Sequence, residues 1–343
     1  MTILVGVVAL FAATFFVVWT RERRQRRTHP VAAGLRPEIS LPFEEEFELY
    51  HNALSLCSMK IRVCLAELDI PYRSHPIDLI ETGAYETLSR HFLSVNPAAT
   101  VPVLVHDGHP VYESHEQIRY AAAHAPPDRA SLVPDDPALR STMERWIDRS
   151  SLTEDPIEHG DESAGNAVPG LTLAIFAAMI DRIGYTKILE GVLFHFDKKR
   201  PFMFLLFKAM GLERMGKIPL AVKLIARSRK QMDVHLDALE KELGASGGPW
   251  ILGDPYSLAD VSWLVIFERL AQLDTLHAFA ADGLRPGCAA YFERLRARPA
   301  YREAILEHPH PLISYGTNRI RSAKAANPAL RAVLEGRPAS AAR

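Results

Sequence analysis

Cysteine is scarce in this 343-residue chain, which carries only Cys57, Cys64 and Cys288. Cys57 and Cys64 fall seven positions apart on one expected helix, about 10 Å from each other and beyond disulfide reach. No Cys-x-x-Cys is present, and the composition suits a reducing compartment. An excess of one charge is missing too: 40 Lys and Arg face 41 Asp and Glu, a formal net charge of −1. That excludes the global basic field used by nucleic-acid binders. Internal repeats and phosphate-cradling glycine loops are also absent. The histidine pairs His106/His109 and His308/His310 have no cysteine or carboxylate at metal-ligand spacing, so they read as solvated turn residues and no metal is expected.

What is present is enough apolar residue, 48% of the chain, to bury a substantial core. One run stands apart. Residues 2–19, TILVGVVALFAATFFVVW, carry no charge and as a helix would extend roughly 27 Å, close to the hydrocarbon thickness of a bilayer. The arginine-rich RERRQRR follows closely, which by the positive-inside rule places the bulk of the protein in the cytoplasm. A cleaved signal peptide would carry its positive charge before the run and a small-residue cleavage site after it. Here the arginines follow instead, so the expectation is a single-pass anchor over residues 1–20 and a basic juxtamembrane linker over 21–46. The linker part THPVAAGLRPEISLPFEEE, with three prolines and no periodicity, reads as a tether.

The folded part is expected to begin near Phe47. FELYH reads as a strand, SMKIRVCLAEL as a helix, and IPYRSHPIDL as a second strand parallel to the first. ETLSRHFLSV is a short helical stretch. VPVLV, a turn at Asp107 and Gly108, and PVYES form a hairpin, and a helix starts at Ser114. There Ser114 and Gln117 have capping-box spacing. The order is βαβαββα over residues 47–126. From 138 to 310 the pattern is helical, including SRKQMDVHLDALEKEL and the strongly nucleated GDPYSLADVSWLVIFERL, where Ser257 and Asp260 form a second capping box. The fold class is therefore α+β. Within 160–225, VPGLTLAIFAAMI and PFMFLLFKAM are too short to span a bilayer, and core, pocket wall and membrane-dipping surface all remain open. The stretch 311–343, rich in Ala and Arg, reads as a mobile or loosely docked basic tail.

This element order, with LYHNALSLCSMKIRVCLAE, NPAATVPVLV, YES at 112–114 and GDPYSLADVSW, resembles the glutathione S-transferase superfamily over roughly residues 47–310. The insertion and YHNALSLCSMKIR look most like its ganglioside-induced differentiation-associated subgroup and the bacterial relatives of that subgroup. The resemblance implies a thioredoxin-like domain followed by the all-helical transferase domain. It also implies glutathione as co-substrate, an apolar electrophile as second substrate, and a possible homodimer.

Site residues follow from the same likeness. A cis bond before Pro102 would turn the N–H and C=O of Val101 outward to pair with a peptide. Ser114, at a helix N-terminus beside Glu113, would hold the γ-glutamyl carboxylate. Ser55 occupies the position of the serine that hydrogen-bonds the glutathione sulfur in serine-type transferases, with Cys57 and then Ser58 as rivals. Ala99 and Thr100 stand where glycine and lysine are usual, and Gln117 where an aliphatic residue is usual. Two alternatives to a conjugating enzyme remain open: a non-catalytic interaction module at the membrane, and a thiol oxidoreductase working through Cys57.

Overall fold

The computed structural model describes residues 2–336 apart from 154, 155, 157, 196, 281 and 282. The chain opens with helix α1 (Thr2–Gln25), whose apolar part is exposed on all sides. A five-stranded sheet follows, with spatial order β1-β5-β4-β2-β3. Its strands are β1 (Gly34–Leu35), β2 (Phe47–His51), β3 (Arg73–Pro76), β4 (Val103–His106) and β5 (His109–Tyr112). β2 pairs with β3 in parallel and with β4 antiparallel, and β4 and β5 form the expected hairpin.

Strand alternation gives the sheet two apolar faces. Leu49, Leu104 and Val111 face α2 (Leu56–Leu68) and α4 (Ser114–Ala123). Tyr50, Val103, Val105 and Tyr112 face α3 (Arg90–Val95) on the other side. The second face holds a correction to the tether expected over residues 28–46. Val31, Ile39 and Leu41 pack there, and β1 adds an antiparallel edge to β5. Main-chain bonds from His29 to Pro97, Arg36 to Pro110 and Leu41 to Gly108 fix the segment as a strap.

The rest of the chain is helical. α5 (Pro137–Ser150), α6 (Ala164–Met179), α9 (Pro219–Ser246) and α10 (Leu258–Gln272) build its centre, with α7 (Tyr185–Phe194) and α8 (Lys199–Met210) between α6 and α9. α11 (Leu276–Ala280), α12 (Pro286–Arg296) and a turn of helix, α13 (Pro299–Tyr301), lead to α14 (Pro311–Ala326) and α15 (Pro328–Glu335). Ser257 and Asp260 do form the capping box of α10. The last two helices correct the expected mobile tail, at least as far as Glu335. Ile320, Leu330 and Leu334 are buried, and Lys324 bridges Asp274 (2.9 Å) and Glu335 (2.8 Å). Residues 337–343 lie outside the described ones.

Among the described residues, two helices are long and apolar enough to cross a membrane. The span in α1 has a mean hydropathy of 2.0 and none of it is buried, whereas the one at Ala164–Arg182 is 83% buried. The second is therefore core. Side chains join α2 to the helical part directly: Arg62 donates to the Ala304 carbonyl (2.8 Å), and Arg298 grips Glu67 through two bonds of 2.6 Å.

Candidate functional site

A cleft of about 1280 Å³ opens between the first turns of α2 and α4, the loop ahead of β4, and α5 of the helical part. Its geometry begins with local capping. Ser55 is the N-cap of α2, and its hydroxyl accepts from the Ser58 N–H at 3.2 Å. Ser55 is not among the residues that line the cleft. Cys57, on the first turn, is. Ser58 is buried, its hydroxyl accepting from the Asn52 N–H at 3.2 Å. Of the three expected rivals, only Cys57 faces the opening.

Three residues beyond Cys57, Lys60 is almost wholly buried with no hydrogen bond or ion pair among the described residues. Burial pushes its ammonium below the usual lysine range, while Cys57 and Glu113 act in the opposite direction. In the sequence Lys60 reads only as a member of the SLCSMKIR pattern, and it is not among the residues that line the cleft.

The Val101–Pro102 bond is cis, as the sequence predicts. Val101 lines the cleft, and its N–H and C=O have no hydrogen-bond partner among the described residues. Asn96 organises the approach to it: its amide nitrogen donates to the Thr100 carbonyl (2.8 Å) and hydroxyl (3.0 Å), and its oxygen accepts from Ala98 (2.9 Å). Ala99 and Thr100 therefore sit in a side-chain-braced loop.

Glu113 carries a left-handed backbone, φ 67°, and α4 begins directly after it. Ser114 lines the cleft at 5% exposure, and its hydroxyl has no partner among the described residues. The capping box expected with Gln117 is not formed. Gln117 is buried instead, donating to the carbonyls of Pro102 (3.0 Å) and Val111 (2.8 Å) and so tying α4 to the hairpin. An aliphatic side chain there would leave both carbonyls without that donor.

Across from these groups the lining is polar. Arg145, Asp148 and Arg149 project from α5 with His235 from α9 behind them, and Arg149 Nε donates to His235 Nδ1 at 3.3 Å. Burial, followed by the charge of Arg145 for Arg149, lowers the pKa of Arg149, and burial also lowers that of His235. Burial and then the charge of Lys60 lower His115. None of the α5 residues was singled out from the sequence. Their i, i+3, i+4 spacing matches any solvated helix face. Val31, Ala32 and Ala33 of the strap line the cleft as well.

The expected solvated histidines are structural. His106 stacks on Phe47 (4.2 Å) and bonds the Tyr120 hydroxyl (2.8 Å), and His308 meets the Tyr72 hydroxyl at 3.3 Å. Among the described residues no group of histidines, cysteines and carboxylates is placed to hold a metal.

Residues 54–124 match the family model of the glutathione S-transferase N-terminal domain, and residues 223–294 that of the C-terminal domain. A tetrachloro-p-hydroquinone reductive dehalogenase of Sphingobium chlorophenolicum is 24% identical over 262 residues, 76% of this chain and 95% of the relative. The glutathione S-transferase TCHQD of Arabidopsis thaliana is 26% identical over 258 residues, 75% and 89% of the two chains. A 2,5-dichlorohydroquinone reductive dechlorinase of Sphingobium indicum reaches 44% identity, over 75 residues that make up 21% of each chain. Among solved structures, the beta-etherase of Sphingobium sp. strain SYK-6 superimposes with a TM-score of 0.61 at 22% identity, covering 77% of this chain and all of the other. With both domain models in the right order, on a sheet and helical body of that architecture, the chain belongs to the glutathione S-transferase superfamily.

Proposed function

We propose that the protein is a glutathione-dependent enzyme that transfers glutathione to, or uses it to reduce, an electrophile. The observation that carries this is a convergence on one cleft. The unpartnered main chain of Val101, the N-terminus of α4 with the free Ser114 hydroxyl, and the N-terminus of α2 with Cys57 all face the same space. A γ-glutamyl peptide supplies the complement of each. Its cysteinyl main chain pairs with Val101 as an added strand, its carboxylate lies on α4 beside Glu113 and Ser114, and its sulfur reaches the first turn of α2.

In conjugation, the glutathione thiolate attacks an electrophilic carbon: a C–S bond forms and the bond to the leaving group breaks, the pair departing with that group. Backbone N–H groups at the start of α2 stabilise the anionic sulfur before attack. The position of Cys57 favours a second reading in which glutathione is also a reductant. Its thiolate attacks a glutathione-bearing disulfide to give a Cys57–glutathione mixed disulfide and a released thiolate. A second glutathione thiolate then frees Cys57 and leaves oxidised glutathione. The names of the relatives, reductive dehalogenase and dechlorinase, support the reductive chemistry.

Among the described lining residues, Arg145, Arg149 and His235 suit an electrophile that carries anionic or phenolic oxygen, in place of a wholly apolar one. Glutathione binding, turnover of a chlorinated hydroquinone, and reduction of a mixed disulfide of glutathione by the full-length protein test the proposal. Cys57→Ser is expected to abolish reduction and Ser55→Ala to retain at least half of it. Equal loss in both variants refutes the Cys57 reading, binding without turnover selects the interaction module, and no binding removes the proposal.

We also infer that α1 anchors the protein in a membrane with the folded body on the cytoplasmic side. The exposed apolar span and the arginines at its end support this. Replacing Val7, Phe11 and Phe15 by lysine in the full chain is expected to move the protein from the alkali-resistant membrane fraction to the supernatant. Retention in the pellet refutes it.

A further inference from the structure

The pair α7 and α8 lies outside both matched domain stretches and lines no part of the cleft. Each helix is amphipathic in an inverted sense. On α7, Ile188 and Gly191 are buried while Tyr185, Leu189 and Leu193, spaced four apart, are exposed. On α8, Phe204 and Phe207 are buried while Phe202 (56%) and Leu206 (43%) face outward. Aliphatic and aromatic side chains at helical spacing on the outer face of a hairpin form a patch rather than scattered exposure.

Two observations identify what covers that patch. The first is its attachment to α1. Just past the end of that helix, Arg26 pairs with Glu190 of α7 at 2.8 Å and lies over the Phe194 ring at 4.6 Å. Glu22 pairs with Arg90 of α3 as well. Glu190 is flanked in sequence by the exposed Leu189 and, one turn on, by Leu193 and Phe194. The outer face of α7 therefore begins where the apolar helix ends. The second is charge. Residues 182–230 contain twelve Lys and Arg against three Asp and Glu, in a chain whose net charge is −1. Lys187 and Lys199 on the hairpin, and Arg214, Lys217 and Lys223 just beyond it, are exposed.

We infer that the outer face of α7 and α8 lies on an anionic bilayer surface. Its leucines and aromatics enter the headgroup boundary and the surrounding lysines and arginines meet lipid phosphates. This rests on the anchor reading of α1. It adds a second, peripheral contact that fixes how the body sits on the membrane.

Spin labels test it in the full-length protein reconstituted into vesicles, in a Cys57→Ser background where Cys64 and Cys288 are buried. Labels at Phe11→Cys, Leu193→Cys and Phe202→Cys are compared with Asp254→Cys on the exposed loop before α10. Collision with oxygen, which partitions into lipid, is set against collision with a water-soluble nickel chelate. In vesicles containing phosphatidylglycerol, the labels at 11, 193 and 202 are all expected to favour oxygen several-fold over the reference. Those at 193 and 202 lose most of that preference in purely zwitterionic vesicles at high salt, while the label at 11 keeps it. A label at 11 in lipid with 193 and 202 matching the reference refutes the hairpin contact and leaves the anchor intact. Labels at 193 and 202 shielded from both quenchers and broadened by each other show that a second copy covers the face, which also refutes it. A label at 11 in water refutes the anchor, and the hairpin assignment with it.

Discussion

Removing the Asp260 carboxylate tests whether the start of α10 is the clamp that its bonds imply. Asp260 is fully buried and accepts from the N–H of Ile251 (3.1 Å), the N–H of Ser257 (2.8 Å), the Ser257 hydroxyl (3.0 Å) and the Tyr291 hydroxyl (2.8 Å). In Asp260→Ala the Ser257 hydroxyl can rotate elsewhere, but two main-chain donors and a buried phenol lose their acceptor. At about 1–3 kcal/mol for each orphaned buried group, the gross cost is roughly 3–9 kcal/mol. Part is recovered, because burial already holds the Asp260 carboxyl above its ordinary range and that desolvation vanishes with the side chain. The net expectation is a loss of about 3–4 kcal/mol, large for one substitution. Asp260→Asn keeps one acceptor oxygen and turns an amide toward the other donors, so it falls between. Urea unfolding of the full chain in non-ionic detergent, followed by the fluorescence of Trp250 and Trp263, reads the shift in midpoint. An Asp260→Ala loss under about 1 kcal/mol would refute the reasoning, because orphaned donors at this depth cannot cost so little.

Stability is expected to fall in acid through His51, whose pKa is pushed down to about 3 by burial, then by the Arg62 charge and by His308. The unfolded chain takes up that proton near pH 6.5 and the folded one only near 3. The contribution is therefore complete above about 6.5 and is lost as pH falls from there toward 3, with a slope approaching about 1.4 kcal/mol per pH unit. His51→Gln should flatten this slope in urea midpoints taken between pH 7 and 4; an unchanged slope would discard the assignment. Gln117→Leu removes the two bonds to Pro102 and Val111, and is expected to weaken glutathione binding several-fold in calorimetry and to lower stability by about 1–3 kcal/mol. Unaltered affinity would show that the Gln117 tie does not hold the Val101 loop. Arg149→Leu should raise KM for a phenolate electrophile by about tenfold, the worth of a single charge-assisted bond, and leave KM for glutathione unchanged. A rise in the glutathione KM alone would place Arg149 on the other half of the cleft.

Much of this architecture was readable because local and global signals agreed. The alternation in VPVLV and PVYES, the parallel placement of FELYH and RSHP, and the Ser257/Asp260 box each named an element that the chain forms. Other features depend on partners distant in sequence. Residues 28–46 have no periodicity since their order comes from the free edge of β5, more than sixty positions on. The same holds for α14, where Arg319 finds Asp181 and Glu213. Gln117 satisfied the capping-box spacing, yet the carbonyls of the hairpin claimed its amide. The serine-type pattern ranks Ser55 ahead of Cys57 and Ser58, but helix rotation, which spacing does not show, decides which of them turns toward the cleft. Capping took Ser55, and Cys57 was left facing outward.

The strap has a practical consequence for anyone shortening the chain. Trimming to Phe47, where the compositional boundary falls, would strip the outermost strand and leave the N–H and C=O row of β5 ready to recruit another molecule edge to edge. It would also bare Tyr50, Val105 and Tyr112 where Ile39 and Leu41 now lie. Starting at Thr28 discards the greasy helix yet keeps every one of those covers, so the two truncations should part company at once on a sizing column, the shorter clumping and the longer running as a discrete species.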